Sequence, residues 1–515
     1  MNAADAVLLP TIEKGFGHSP ALVYRDRIIA YTEVLAGVNQ AGHAFRALGV
    51  APENRIVVML SDSPDFVSCY LGAIKIGAVA VAVNLRASPR DLLYYLRDSR
   101  ARVLVIAREF LDLYRQIRGE LAEEPGLVVA EGETDGETDL ATLLARQPRD
   151  LDAVPMSPDD MAFWIYTSGT TGTPKAAVHL HKDVLNAGDY LGGVLGVRRG
   201  DRLFASSKLF FAYALGNCLF GAFRLGATTI LLDDWPQAVT IAQVIERQRP
   251  SVVFAVPTIY RNLLAAGVAT QEGFRAVRHY VSAGERLPES LWERWRAATG
   301  VEIIDGMGTS ETIYMLLTNY PGAVRPGSSG KPAPGVEVKL ADAEGVAVPP
   351  GQSGILWGRI ASRADRYWNQ QARSQEVFRG SWFRTGDMYR VDGDGYWFHE
   401  GRFDDLLKIS GQWVSPAEIE DLLLAELPLR DAIVVGTAGK DDLMRLTLFA
   451  VGPAEGFDPA DLEQRIRVLV TARLSVYKCP KWIRFVDAIP RTATGKAQRF
   501  ELRRQAEALL EEEAA

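Results

Sequence analysis

The sequence predicts an α/β protein. A large N-terminal region should hold two α/β subdomains and a small β subdomain, and a small α+β domain should follow it. Three observations carry that expectation. Short β-branched runs alternate with amphipathic helical stretches from about Ser19 to Ile106, and again from Thr228 to Glu311, the signature of mostly parallel sheets covered by helices. From Gly327 glycine and proline become dense and short alternating runs take over. The final hundred residues then return to helices and strands. At 515 residues the chain exceeds what one core supports, so several domains are expected. The best single boundary lies near Arg402–Asp405, dividing the chain into 1–403 and 404–515.

Within the first unit Arg55–Leu60 reads as a buried strand, Pro64 opens a helix through Ile76, and Ala78–Val83 is the next strand. A helix over Pro89–Ser99 leads to the strand Val103–Ile106, and Glu131–Asp139, acidic and glycine-containing, reads as a surface loop. The second unit offers Thr228–Leu232, the helix Ala238–Gln248, Ser251–Ala255, Tyr280–Glu285 and Ile303–Glu311. Gly335–Leu340 alternates as in small antiparallel sheets, and Asp392–Phe398 is hairpin-like. The last domain reads as helix (Pro416–Ala425), strands (Ala432–Val435, Leu446–Val451), helix (Pro459–Arg473) and strand (Trp482–Val486).

The most informative stretch is Tyr166-Thr167-Ser168-Gly169-Thr170-Thr171-Gly172-Thr173-Pro174-Lys175, directly after the apolar run Met161–Ile165. Glycines let backbone approach a ligand closely, and successive N–H groups form a nest for phosphate oxygens. The hydroxyls add donors and Lys175 adds charge. No Ser or Thr follows the lysine, so this is not the common P-loop. It reads as a clamp for a nucleotide triphosphate.

Composition narrows the class. A net charge of -7 argues against a general nucleic-acid binder. Cys69, Cys218 and Cys479 lie far apart, without Cys-x-x-Cys or histidine at metal spacing. Met1–Pro10 lacks the basic and apolar regions of a secretion signal, and the longest apolar run, Leu209–Phe223, is too short to span a bilayer. A cytoplasmic protein with no membrane partner is expected.

Four stretches now stand in one order. They are the 166–175 loop; Gly306–Glu311; Arg384-Thr385-Gly386-Asp387 with Gly401-Arg402-Phe403-Asp404-Asp405; and Pro490-Arg491-Thr492-Ala493-Thr494-Gly495-Lys496. Together they resemble the adenylate-forming superfamily of acyl-CoA synthetases, luciferases and peptide-synthetase adenylation domains. Lys208–Asn217 and Val414–Glu420 further resemble the benzoate–CoA ligase group of aryl-CoA ligases.

The resemblance implies ATP, magnesium and CoA as partners of a small aromatic carboxylic acid. It implies that Thr167, Ser168, Gly169, Thr170, Thr171 and Lys175 cradle the phosphates, with Thr171 and Glu311 near the metal; the residues alone leave Glu311 open as a helix cap. Gly284, Glu285, Arg286, Asp305, Gly306, Met307, Gly308 and Thr309 would line the adenine slot, and Asp387 and Arg402 would hold the ribose. Lys496 would bridge the acid and the α-phosphate. Asp404 would be the pivot of a mobile C-terminal domain that brings in Lys408 to Gly411 for the second half-reaction. Arg86, Tyr477, Lys478 and Arg499 are the basic or stacking candidates for CoA. Phe211, Ala212, Tyr213, Ala283 and Tyr314 would wall the acid. Benzoate ligases usually carry histidine where this chain has Tyr314, which turns the expectation away from plain benzoate. An alicyclic acid, a carrier-protein acceptor and a non-catalytic nucleotide-binding protein are the alternatives. The chain as read carries no fused carrier domain, and Lys496 and Asp387 are both present. The sequence is compatible with a homodimer and with a lysine acetyltransferase acting on Lys496.

Overall fold

The computed structural model describes all residues except 168–173, 406, 410–411, 439–443, 455, 492–496 and 513–515. Packing divides the chain into two compact units, residues 1–338 with 358–383 and residues 339–357 with 384–515.

Two large sheets build the first unit. In one, eight strands run in the spatial order Arg366–Tyr367, Lys175–Leu180, Met161–Thr167, Val79–Ala82, Arg55–Met59, Ala101–Ala107, Gly126–Ala130, Thr138–Asp139. Pairing is parallel from Met161–Thr167 to Thr138–Asp139 and antiparallel at the other edge. The expected loop after Glu131 thus ends in a two-residue edge strand. The intervening helices begin where the sequence supplies caps. Ser63 accepts the Phe66 N–H before Pro64, and Ser88 forms a reciprocal cap with Asp91 before Pro89.

The other sheet has nine strands, with a parallel centre of Pro20–Tyr24, Thr228–Leu231, Arg202–Ala205, Val252–Ala255, His279–Ser282 and Ile303–Gly308. Its far edge turns antiparallel at Met315–Thr318, which pairs with Ile303–Gly308 in a hairpin whose tip is residues 309–314. The tips of parallel strands are where open sheets meet ligands. Both the Met161–Thr167 and Ile303–Gly308 strands end at predicted site residues.

In the second unit residues 387–391 pair antiparallel with Trp397–Arg402, as the hairpin-like sequence predicts. A ribbon of Leu407–Ile409 and Gln412–Val414 follows. Then come the helix Pro416–Glu426, the strands Asp431–Ala438, Met444–Val451 and Trp482–Phe485 in one sheet, and the helices Pro459–Arg473 and Arg499–Glu512. Arg499 sits in the interior of this unit. Its Nη1 and Nη2 donate to the two Glu420 carboxylate oxygens at 2.8 Å each, and Nη1 also donates to Val434 O at 2.7 Å. Its Nε lies 3.5 Å from Asp405. No helix among the described residues is long and apolar enough to cross a membrane.

Candidate active site

The charged part of the site grows from two strand ends and one edge strand. Lys175 faces Thr167 across the antiparallel pair that flanks residues 168–173. Glu311 sits on the hairpin tip, and Tyr367 belongs to the short strand that pairs with Lys175–Leu180. The three side chains form a closed ring of contacts. Lys175 Nζ donates to the Tyr367 hydroxyl at 2.8 Å, that hydroxyl donates to Glu311 Oε1 at 2.7 Å, and Nζ lies 3.3 Å from the same oxygen. Burial opposes ionisation of Glu311, but the Lys175 ammonium and the Tyr367 hydroxyl outweigh it and hold the carboxyl down at about 2. Tyr367 was not among the sequence candidates.

That ionised, buried carboxylate suits a hard divalent cation, which takes one or two protein carboxylates and the phosphates of its nucleotide. Among the described residues no cluster of three or more His, Cys, Asp or Glu forms a separate metal cage. Ser168, Gly169, Thr170, Thr171, Gly411 and Lys496 lie outside the described residues. For Asp404 and Lys408 the backbone alone is described, in the turn Phe403–Asp405 and opposite Trp413 in the ribbon.

The expected adenine-slot residues gather at neighbouring strand ends of the nine-stranded sheet. Ser282 and Asp305 are in register, and Gly284 follows with φ +87°, a backbone state that suits glycine. Glu285 Oε2 accepts from the Thr258 N–H and hydroxyl at 3.2 and 2.8 Å. Asp305 is buried, which pushes its carboxyl up to about 8 despite the Ser282 hydroxyl. Met307 and Gly308 pair with Leu317 and Met315 below the tip, and Thr309 N lies 3.3 Å from Thr312 Oγ1.

In the second unit Asp387 and Arg402 are cross-strand partners, with Arg402 Nη1 3.2 Å from Asp387 Oδ2. His399 Nε2 lies 3.3 Å from the other Asp387 oxygen. A fixed acceptor beside a guanidinium is the chemistry the ribose assignment requires.

The acid wall is of a different character. Phe211 begins a short helical segment that continues as a wider π-helical turn over Leu215–Gly221, a local irregularity frequent at functional sites. Phe211 packs on Phe210 at 4.2 Å between ring centres. The Tyr213 hydroxyl donates to Val281 O at 3.0 Å, and its ring stands edge-on to Phe254. Ala212 and Ala283 are buried small residues. Tyr314 is 6% exposed, and its hydroxyl has no hydrogen-bond partner among the described residues. A Cβ at Gly216 would sit 2.7 Å from Ile313 O and 3.2 Å from the Tyr314 ring. Ile313 itself adopts φ +58°, a conformation that costs a β-branched residue about 1–3 kcal/mol.

Two further groups hold this wall. Lys208 is buried, and Nζ donates to the Leu232, Asp233 and Asp234 carbonyls, the last two at 3.2 and 2.5 Å. Asp62 accepts from Leu209 N at 2.9 Å, and burial pushes its carboxyl up to about 6 against the pull of Lys208. A lysine opening an apolar run was the available signal for such a tether. Of the CoA candidates, Arg86 is exposed and stacks 3.6 Å from the Trp235 ring centre. Arg499 corrects the expectation: Glu420, Val434 and Asp405 already engage its guanidinium. Lys478 is paired with Glu418 at 2.5 Å.

The model of the AMP-binding enzyme family matches residues 11–368, and that of the AMP-binding enzyme C-terminal domain matches 418–496. The chain belongs to the AMP-binding enzyme family. This AMP-binding enzyme is 46% identical over 504 residues to a 3-hydroxybenzoate–CoA ligase of Aromatoleum sp. (strain CIB), covering 98% of this chain and 96% of that one. It is 40% identical over 506 residues to a benzoate–CoA ligase of Thauera aromatica, covering 98% and 95%. Among solved structures it resembles the anthranilate CoA ligase AuaEII in complex with anthranoyl-AMP, with TM-score 0.90, 37% identity and 99% and 98% coverage. It also resembles a benzoate CoA ligase from Burkholderia xenovorans LB400, with TM-score 0.88, 34% identity and 98% and 100% coverage. The resemblance drawn from the four motifs therefore holds, and the chain groups with the aryl-CoA ligases of the adenylate-forming superfamily.

Proposed function

We propose that this enzyme is an AMP-forming ligase that joins a ring-hydroxylated benzoate to CoA at the expense of ATP. A carboxylate oxygen bonds to the α-phosphorus and the bond to the pyrophosphate oxygen breaks. The CoA sulfur then bonds to the acyl carbon and the bond to AMP breaks. The first step brings two anions together, so it needs fixed positive charge and positioning more than proton transfer. Lys175, Thr167 and the 168–171 segment serve the triphosphate, and Asp387 with Arg402 serves the ribose. Lys496 serves the carboxylate and α-phosphate, and acetylation of that lysine would remove the charge the step requires. Glu311 and Thr171 would hold magnesium, which when bound supplies Lewis-acid stabilisation to the phosphate oxygens. Asp404 as pivot, with Lys408 and Gly411 serving thioester formation, completes the assignment.

The observation that carries the choice of acid is the buried hydroxyl of Tyr314, which has no hydrogen-bond partner among the described residues. An apolar ring leaves that phenol unsatisfied, whereas a ring hydroxyl answers it, a difference of about 1–3 kcal/mol. The relative at 46% identity agrees, being named a 3-hydroxybenzoate–CoA ligase, whereas the relative at 40% is named a benzoate–CoA ligase. The test is AMP release with ATP, magnesium and CoA over benzoate, the three hydroxybenzoates, 2-aminobenzoate and cyclohexanecarboxylate. A hydroxybenzoate should lead in kcat/KM, and Tyr314→Phe should erase the lead over benzoate. A lead for benzoate or cyclohexanecarboxylate in the unmodified enzyme overturns the assignment. Adenylate formation with no use of CoA points to a carrier-protein acceptor instead.

A further inference from the structure

Glu311 and Tyr314 stand three residues apart on one hairpin tip, and the backbone between them is strained and held from outside. The Tyr314 N–H donates to Thr312 O at 2.7 Å, closing a three-residue turn around Ile313 at φ +58°. A β-branched residue keeps such a conformation only when its surroundings over-determine it. Here three consecutive carbonyls are each captured by a different donor. His179 Nε2 reaches Ser310 O at 2.8 Å, Ala364 N reaches Glu311 O at 2.7 Å, and Ser362 Oγ reaches Thr312 O at 2.8 Å. Thr312 Oγ1 donates onward to Tyr314 O at 3.0 Å.

The donors are themselves fixed. His179 lies 2.9 Å from Asp183 through Nδ1 and stacks on Phe163 at 4.9 Å, and His179, Asp183 and Ser362 are fully buried. The tip has no slack against its neighbours either. A Cβ at Gly308 would lie 2.9 Å from Tyr314 O, and one at Gly216 would lie 2.7 Å from Ile313 O. Movement of the Tyr314 ring must therefore pass through the turn to the Glu311 backbone, since both ends share one clamped segment.

We propose that the Ile313 turn is a strut joining the acid wall to the triphosphate side, and that Ser362 and His179 are the positioning residues that hold it. The inference rests on the reading above, in which Tyr314 meets the acid and Glu311 serves the triphosphate. It requires that acid and nucleotide change each other's affinity by one reciprocal factor.

The experiment titrates magnesium and α,β-methylene-ATP, which cannot transfer its adenylyl group, into the full-length enzyme by calorimetry. Each titration is run with and without saturating 3-hydroxybenzoate, or whichever acid leads the turnover panel. In the unmodified enzyme the acid should tighten the analogue roughly fivefold or more. Ser362→Ala should cut that factor below about twofold while melting as one cooperative transition. His179→Leu should do the same, and His179→Gln, whose amide still donates to Ser310 O, should restore much of it. A full coupling factor in a folded Ser362→Ala enzyme overturns the strut, as does the lack of any factor in the unmodified enzyme. Should His179→Leu not fold, Ser362→Ala and His179→Gln decide the matter. Failure of the underlying reading looks different, because then benzoate or cyclohexanecarboxylate leads the turnover panel, or Tyr314→Phe leaves the lead of the hydroxybenzoate intact.

Discussion

On the Glu311 side of the hairpin tip each polar group answers another. Lysine, phenol and carboxylate form a closed ring within 3.3 Å, and the carboxyl is held ionised at about 2. On the Tyr314 side a phenol of the same type is buried, feels Asp183, Arg224 and Asp189 only at a distance, and has no hydrogen-bond partner among the described residues. The difference separates two demands on one turn. The saturated side holds charge in place for whatever acid arrives, so its residues should affect all acids alike. The unsatisfied side leaves one bond for the substrate to make, so it should rank acids and reach the nucleotide only through the shared turn.

The sharpest way to break that comparison is Glu311→Gln. It should lower kcat/KM by roughly 10²–10³ for every acid in the panel, with their ranking unchanged; a reordered panel would show that the carboxylate also reads the acid. Tyr367→Phe comes next. Removing one hydrogen bond to a charged group should cost about 1.5–3 kcal/mol, or about 10- to 100-fold in kcat/KM. It should also alter acid stability. Glu311 is depressed from 4.5 to about 2 in the folded chain, so its contribution is present above about 4.5 and is lost as pH falls toward about 2. Without the Tyr367 hydroxyl the folded value rises and the contribution shrinks. Thermal melts from about pH 6 down to about pH 3 should then show a smaller acid-induced drop in Tm in the variant.

Tyr314→Phe tests the opposite side. The hydroxybenzoate-to-benzoate ratio should fall by about 5- to 100-fold. With no acid bound the affinity for α,β-methylene-ATP should stay put, and the free enzyme should melt no lower than its parent, because a buried hydroxyl with no partner among the described residues is removed. A separate, pH-linked effect is expected at Asp305, whose carboxyl burial raises to about 8 from 3.8. Its contribution to stability is present below about 3.8 and is lost as pH rises toward 8. The Tm of Asp305→Asn, relative to the parent, should therefore climb between about pH 5 and about pH 8; a flat difference would mean that Asp305 is ionised throughout.

What the sequence revealed followed the range of its signals. The strands Arg55–Met59 and Ile303–Gly308 and the helices Pro89–Ser99, Ala238–Gln248 and Pro459–Arg473 fall where local pattern and caps put them. Each is decided by nearest neighbours. The Lys175–Glu311 contact joins two stretches that the sequence singles out, because both end contiguous runs of small and hydroxyl residues. Tyr367 was not singled out, since it reaches Lys175 from 192 positions away on a two-residue strand with no pattern of its own. The bond from His179 to Ser310 spans 131 positions and is equally silent. Arg499 misled for the converse reason. A lone arginine beside a lysine-bearing motif reads as ligand-facing, and only the fold reveals that carboxylates on two other segments already claim it.

Arg499 also bears on how the small unit could be moved between proteins. Seven residues, 492–498, lie between Arg491, paired with Asp431 at 2.5 Å, and Arg499, held by Glu420. Both anchors belong to the same compact unit. A graft of this unit onto a related ligase should therefore keep Arg491 and Arg499 anchored, provided Asp431, Glu420, Arg491 and Arg499 are exchanged as a set. Grafting the motif alone onto a host that lacks those partners would leave its two ends unmoored.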